Sequence, residues 1–424
     1  MQNRNCVKDQ ISKFLQERID AGDFPSAVYL VAEKGEIVMH DALGFAVVEP
    51  ERIEARVDTI YDLASLTKVL VTGLLAARLV DQARVQLTDS VSIYVPSFNS
   101  NEKREITVKN LAVHNSGMMG WLPLYLFAAS RLDVLNEVSN RPLEYGIGTR
   151  IVYSDLNFIV LANIIEQEEF GRRIDLIASE RIFDVLQLKA TDFNPVVNDY
   201  GKIGGISSKH KIAASEKGNA FEKQTCIEQG YLQPPATAGG SDMNPVASHH
   251  PVCETQPPLL RQEGSKSPGS DLIRNPQSVF RNYQIWGEVH DGNAYFMGGV
   301  AGHAGLFSTA EEVFKIAQQF LPNYSTLLKP ETCEIFRTNF TPDMNEHRSF
   351  AFQLASTPDS TAGQLMSPQS FGHLGFTGTS LWIDPVKERI FILLTNRTHN
   401  HALPFVNINS VRRRFHDLAI GQLE

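Results

Sequence analysis

The chain is poor in cysteine. Four occur in 424 residues, at positions 6, 226, 253 and 333, and no two form a Cys-x-x-Cys pair. Thiols this scattered argue against a disulfide frame or a zinc site. Long apolar runs are missing too: no stretch of about 18 such residues occurs, so a transmembrane span is not expected. The first residues lack the basic segment, apolar core and small-residue cleavage site of a secretory signal, which points to the cytoplasm. Positive charge is also scarce, with 39 Lys and Arg against 48 Asp and Glu and a formal net charge of −9. That balance argues against a nucleic-acid or anionic-membrane partner, each of which needs a clustered basic surface. Several catalytic signatures are absent as well, namely a Gly-x-Ser-x-Gly elbow, a His-Glu-x-x-His zinc helix and a phosphate loop ending in Gly-Lys-Ser/Thr. The glycine-rich stretch GGVAGHAGLFSTAEE at 298–312 has no dinucleotide fingerprint. It reads as a tight turn into a helix capped by Thr309, with Glu312 completing a capping box.

What is present is a chain that is 42% apolar, enough for a sizeable core. Val7, Ile11, Phe14, Leu15 and Ile19 recur at helical spacing near the start. SAVYLVAEKGEIVMHDALGFA then reads as a hairpin turning at Lys-Gly-Glu. HLGFTGTSLWIDPVKERIFILLTN, at 373–396, gives two more strands around Asp384-Pro385, followed by an amphipathic helix in NINSVRRRFHDLAIGQ. Helices are expected between these ends, over 65–82, about 107–113 after the cap Thr107, 155–169 and 174–186. The fold class expected is α+β, an α/β sandwich in which an antiparallel sheet built from both termini is flanked by helices and joined to an inserted, mainly helical lobe. The sheet lobe takes 1–62 and 281–424, and the helical lobe takes 63–231. Residues 232–276 are dense in Pro, Gly, Ser and Gln and read as an insertion without fixed structure. A tolerated insertion and a partner-binding segment are both compatible with that composition.

The chemistry centres on YDLASLTKVLVTGLLAARLV, residues 61–80. Ser65 and Lys68 stand at i and i+3 at the head of an apolar helical run, so hydroxyl and amine share a face. The chain holds two further Ser-x-x-Lys pairs, Ser100/Lys103 and Ser208/Lys211, but both lie in polar runs where a lysine is expected to be solvated. Burial and the helix dipole are expected to lower the Lys68 pKa until it can act as a base. The competing reading makes Ser65 an N-cap and lets Lys68 snorkel to water. Tyr153 precedes a second apolar helix that begins Asp155-Leu-Asn157, where Asp155 is a candidate cap. In FGHLGFTGTSLWIDP, His373, Gly375 and Gly378 are expected within a strand, where glycines suggest the close approach of another backbone or a ligand.

Ser65-Leu-Thr-Lys68, Tyr153-Ser-Asp155 and His373-Leu-Gly375, in this order, resemble the three active-site motifs of the serine β-lactamase and penicillin-binding-protein superfamily. The likeness covers about 10–230 and 280–420 and is closest to the class C-like branch. It implies an acyl-enzyme on Ser65, with Lys68 as base, Tyr153 as proton carrier to the leaving group and the N–H groups of Ser65 and Phe376 as oxyanion hole. It also implies no metal and no organic cofactor, and a small ester, peptide or muropeptide as substrate. Two departures from the family pattern bear on substrate: Asp155 replaces an asparagine able to donate, and His373 replaces a lysine. Both shift the expectation toward hydrolysis of a small ester or amide/peptide bond, with a true β-lactamase or a DD-peptidase as the alternative. A slowly acylating or non-catalytic ligand-binding protein is the remaining alternative. His290 and Asn293, in WGEVHDGNA, are candidate cleft residues or turn-makers, and His114 is expected in a loop near the cleft.

Overall fold

The structure is a computed structural model that describes residues 2–100, 102–195, 209–233 and 279–424, with side chains from residue 10 onward. The segment 232–276 lies outside the described residues except for Leu232 and Gln233. The sheet contains β1 (Ser26–Glu33), β2 (Glu36–Val47), β3 (Ile53–Glu54), β7 (Gln353–Leu354), β8 (Phe371–Leu374), β9 (Ser380–Asp384) and β10 (Arg389–Thr395), in the spatial order β3-β2-β1-β10-β9-β8-β7. A second, three-stranded sheet has the order β4-β6-β5, from Tyr61–Asp62, Leu306–Ser308 and Asp192–Phe193. The expected antiparallel sheet completed by both ends of the chain is present. β1 and β10 are its central pair, in register from Ala27 opposite Thr395 to Glu33 opposite Arg389.

Both central strands are apolar nearly throughout because each of their faces is covered. On β1, Val28, Leu30 and Ala32 point into one core and Ala27, Tyr29 and Val31 into another. The second core is closed by Ile11 and Leu15 of the helix Gln2–Asp20 and by Val411, Phe415 and Ala419 of the helix Asn409–Ile420. The first core receives the helices of the middle of the chain, including Leu74–Asp81 and Asp155–Glu168. The β1–β2 hairpin turns through Lys34 and Gly35, at φ of 51° and 81°, the left-handed pair that matches strand twist in a two-residue turn.

Several local expectations are corrected. The run after Ser65 opens as a π-helical turn, Lys68–Gly73, before it becomes α-helical. The 174–186 region is an α-helix, Ile174–Ala178, followed by a π-helical turn, Ser179–Phe183. Ser154, not Asp155, caps the helix Asp155–Glu168, because its hydroxyl accepts from the Asn157 N–H. Thr107 is the cap expected of it. Thr309 also caps as expected, but Glu312 makes no capping box: its carboxylate accepts from Lys189 N, Ala190 N and Thr191 Oγ1 on a distant segment. Gly375 and Gly378 lie in the turn between β8 and β9 rather than inside a strand. Cys226 and Cys333 are free and buried; Cys253 and the side chain of Cys6 fall outside the described residues. Among the described residues no helix is long and apolar enough to cross a membrane.

Candidate active site

Ser65 follows a strained turn. Ala64 has a φ of 47°, a left-handed conformation that a residue with a Cβ adopts at a cost of about 1 kcal/mol or more. The Asp62 carboxylate holds that turn by accepting from Ala64 N at 2.9 Å, and its second oxygen accepts from His290 N at 2.8 Å. The β8–β9 turn is tied to the same stretch: Thr377 Oγ1 donates to Asp62 O at 2.7 Å and Thr379 Oγ1 to Leu63 O at 3.0 Å. A Cβ on Gly375 would collide with Thr379 Oγ1 and Leu63 O, so the glycine expected to permit a close approach does so against the segment that carries Ser65. Segments more than 300 residues apart in sequence thereby form one wall.

Lys68 Nζ donates to Ser65 Oγ at 2.9 Å and to His303 O at 3.0 Å, and it pairs with Asp155 Oδ1 at 2.7 Å. The side chain is fully buried. Burial is the largest influence on the amine and pushes its pKa down, but the Asp155 carboxylate, with hydrogen bonds to Asp155 and Tyr153, outweighs burial and leaves it above the ordinary lysine value. The expectation of a lysine lowered into the basic range by burial and dipole is therefore corrected. An anion at the second motif reverses the sign, and the resting state holds an ammonium. The readings of Ser65 as an N-cap and of Lys68 as a snorkelling surface residue both fail on this geometry.

Tyr153 brings its hydroxyl to Lys68 and Ser65; burial raises its pKa, opposed by the Lys68 charge. His114 backs the phenol at a ring separation of 4.6 Å. His114 Nδ1 accepts from Ser154 N at 3.0 Å, so its role is behind Tyr153 rather than at the reacting atoms. His373 is buried and held well below the usual imidazole value, first by burial and then by Lys68 and Arg348. It is therefore neutral, with Nδ1 donating to Leu374 O at 2.9 Å.

Ser65, Tyr153 and His373 line a cavity of about 490 Å³ together with Asp155, Gly375, Phe376, His290, Asp291, Glu222, Arg348, Arg397 and Arg412. Among the described residues, neither Ser65 N–H nor Phe376 N–H has an acceptor. His290 reaches the cavity, but its ring nitrogen is committed to Glu216 at 2.8 Å and its face stacks on Phe376. Asn293 does not line it. Its amide accepts from Leu124 N and donates to Leu122 O, both at 2.8 Å, which makes it a staple for that loop.

The sequence reading missed His303, Glu222 and the three arginines. His303 sits in the glycine-rich stretch, which presses so closely on the Asp155–Glu168 helix that a Cβ on Gly302 would overlap Phe158 O. Its Nε2 lies 2.9 Å from Asp291 Oδ1. Asp155, Asp291 and His303 offer ligand atoms all within 4.8 Å of one another, the count of a metal site. The Lys68 ammonium, paired with Asp155, already supplies a cation to that cluster. Of the other Ser-x-x-Lys pairs, Lys211 is exposed and pairs with Asp58, and Ser208 lies outside the described residues. Lys103 is buried rather than solvated and donates to the carbonyls of Val138, Ser139 and Arg141.

The family model described as Beta-lactamase matches residues 11–412. A protein of Escherichia coli (strain K12), described as "Putative D-alanyl-D-alanine carboxypeptidase", is 27% identical over 417 residues, covering 92% of this chain and 82% of its own. One of the same description from Salmonella typhimurium (strain LT2) is 29% identical over 426 residues, covering 94% and 85%. Among solved structures, "EstCE1, a hydrolase with promiscuous acyltransferase activity" superposes with a TM-score of 0.65 at 19% identity, covering 99% of this chain and 98% of that one. "A class C beta-lactamase" gives 0.65 at 14% identity, covering 99% and 96%. At these identities the two structures share the fold.

Proposed function

The chain belongs to the Beta-lactamase family, and from that premise we propose that it is a serine hydrolase that forms an acyl-enzyme on Ser65 and cleaves a small ester or peptide bond. The observation that carries this is the 2.9 Å contact between Ser65 Oγ and Lys68 Nζ at the floor of a cavity into which Tyr153 also reaches. A hydroxyl beside an amine, with a phenol in reach of both, is the arrangement of an activated nucleophile. Ser65 Oγ attacks the substrate carbonyl once Lys68 has lost a proton, and the hydroxyl proton passes to the amine. The oxyanion accepts from the N–H groups of Ser65 and Phe376. Tyr153 relays the proton to the leaving group as the tetrahedral intermediate collapses, and water then cleaves the ester on Ser65.

Asp155 offers oxygen atoms where an amide would offer a donor, so donation to a β-lactam amide from this position is lost. Peptide substrates with a free carboxylate are favoured by Arg348 in the cavity lining, which agrees with the descriptions of the bacterial relatives. A fluorophosphonate probe is expected to label the protein on one peptide, with the adduct at Ser65 by mass spectrometry. Labelling that persists in Ser65→Ala would remove the assignment. A panel of p-nitrophenyl esters, D-amino-acid amides, muropeptides and nitrocefin then ranks the substrates.

A further inference from the structure

The peptide group between Gly375 and Phe376 carries the N–H assigned above to the oxyanion. Its carbonyl, Gly375 O, accepts from Arg412 Nη2 at 2.9 Å and from Gly378 N at 3.1 Å. The next carbonyl, Phe376 O, accepts from Arg397 Nε at 2.7 Å. Each carbonyl flanking Phe376 N is thus held by a guanidinium. Arg412 is buried, and its remaining contacts are Thr379 O at 3.0 Å and Asn409 Oδ1 at 2.9 Å. Burial pushes it down to about 9, with Arg397 repelling it and no carboxylate drawing it back; Arg397 is pushed down to about 10 by burial. Both remain cations at neutral pH, and neither forms an ion pair among the described residues. A buried charge without a counter-ion is expensive to hold. Here it sits one peptide from the place where negative charge develops.

We propose that Arg412, seconded by Arg397, is a positioning residue that polarises the Gly375–Phe376 peptide and so makes the Phe376 N–H a stronger donor to the oxyanion. A cationic donor on the carbonyl of an amide withdraws electron density from its N–H, and hydrogen bonds in such a chain reinforce one another. In a low-dielectric wall the two positive charges also favour an anion at the reacting carbon over the neutral carbonyl that precedes it. The effect therefore belongs to the transition state and falls on kcat rather than KM. The inference rests on the acyl-enzyme reading, in which Phe376 N–H faces the oxyanion.

The test uses the full chain and a neutral p-nitrophenyl ester, so that no substrate carboxylate reaches an arginine. Rates are expressed per Ser65 titrated by fluorophosphonate, which removes misfolded protein from the count. Arg412→Met is expected to lower kcat by about 10-fold or more, since removal of a whole oxyanion donor costs about 100-fold or more. KM should stay within about twofold. The affinity for phenylboronic acid, whose tetrahedral adduct on serine is anionic, should fall in step with kcat. Arg412→Lys, which keeps the charge, and Arg397→Gln should fall on the same line of boronate affinity against kcat, and they decide the matter if Arg412→Met does not fold. Unchanged kcat and boronate affinity per titrated site would overturn the proposal, as would a rise in KM at constant kcat, because that marks direct contact with substrate. Failure of the underlying reading looks different: the wild-type protein would then not be labelled at Ser65, and the proposal falls with it.

Discussion

Two lysines with the same local spacing, Lys68 and Lys103, are both buried and have opposite characters. Lys103 projects its amine onto the carbonyls of Val138, Ser139 and Arg141, where the helix Val134–Asn140 ends. Three neutral acceptors offset little of the cost of burying the charge, so burial pulls its pKa below the ordinary value. Lys68 meets a hydroxyl, one carbonyl and a carboxylate, and its pKa rises. Burial alone therefore says nothing about chemistry; the partner set decides it. Lys103 closes a helix end, and the buried Lys68 holds Ser65 Oγ, a nucleophile in the cavity lining, at 2.9 Å.

The sharpest way to break this comparison is to remove each amine. Lys68→Ala is expected to lower ester turnover by about 1,000-fold, within the span for loss of a general base, while circular dichroism stays native. Lys103→Met should leave kcat per titrated Ser65 unchanged. Equal losses in both variants would erase the distinction.

Glu222 extends the contrast to a buried carboxyl that forms no ion pair among the described residues. Burial and then the charge of Asp291 push it up to about 7 from an ordinary 4.5. Its folded pKa is the higher one, so the folded state holds a proton that the unfolded state has lost between those values, and stability falls as pH rises across the window. The fall amounts to about 3 kcal/mol at 1.4 kcal/mol per pKa unit. Glu222→Gln is expected to flatten urea-midpoint curves between pH 4.5 and 7, and a curve as steep as wild type would contradict this.

Lys103→Met orphans three carbonyls at once. We expect a loss of about 2 kcal/mol in chemical denaturation, visible as a lower midpoint with unchanged slope. The smallest signal is a displacement along the pH axis. Acylation by the wild type should increase with pH into the alkaline range, because Lys68 becomes a base only as pH rises through its elevated pKa. Asp155→Asn removes the attraction that raises it and should move the rising limb to lower pH. An unmoved limb, followed by stopped-flow acylation, would show that Asp155 does not control the amine.

The sequence made some of this legible and hid the rest for physical reasons. The central strands were readable because both faces of β1 and β10 are covered, which leaves uninterrupted apolar runs. Ser65, Lys68 and Tyr153 were readable from ordered motifs. The elevated pKa of Lys68 was not, because it depends on whether a carboxylate 87 positions away lies 2.7 Å from the amine. Lys103 sits in a polar run, so local composition implied solvent while its acceptors come from residues 35 to 38 positions later. Arg412 stands in a helix whose amphipathic pattern explained it already, and only the fold carries its guanidinium to Gly375 O.

The central pairing of β1 with β10 also carries a consequence for how the molecule is made. β1 finds its partner only after residue 395 has left the ribosome, and Ser26 completes its bonds to Asn396 across 370 positions. Such long-range pairing is slow to form. The apolar flank of the first hairpin must then wait through most of synthesis without the strand that covers it, a natural point for chaperone engagement or for aggregation. Ribosome-stalled chains ending before β10 should remain protease-sensitive in the 26–47 hairpin, and release past residue 395 should protect it.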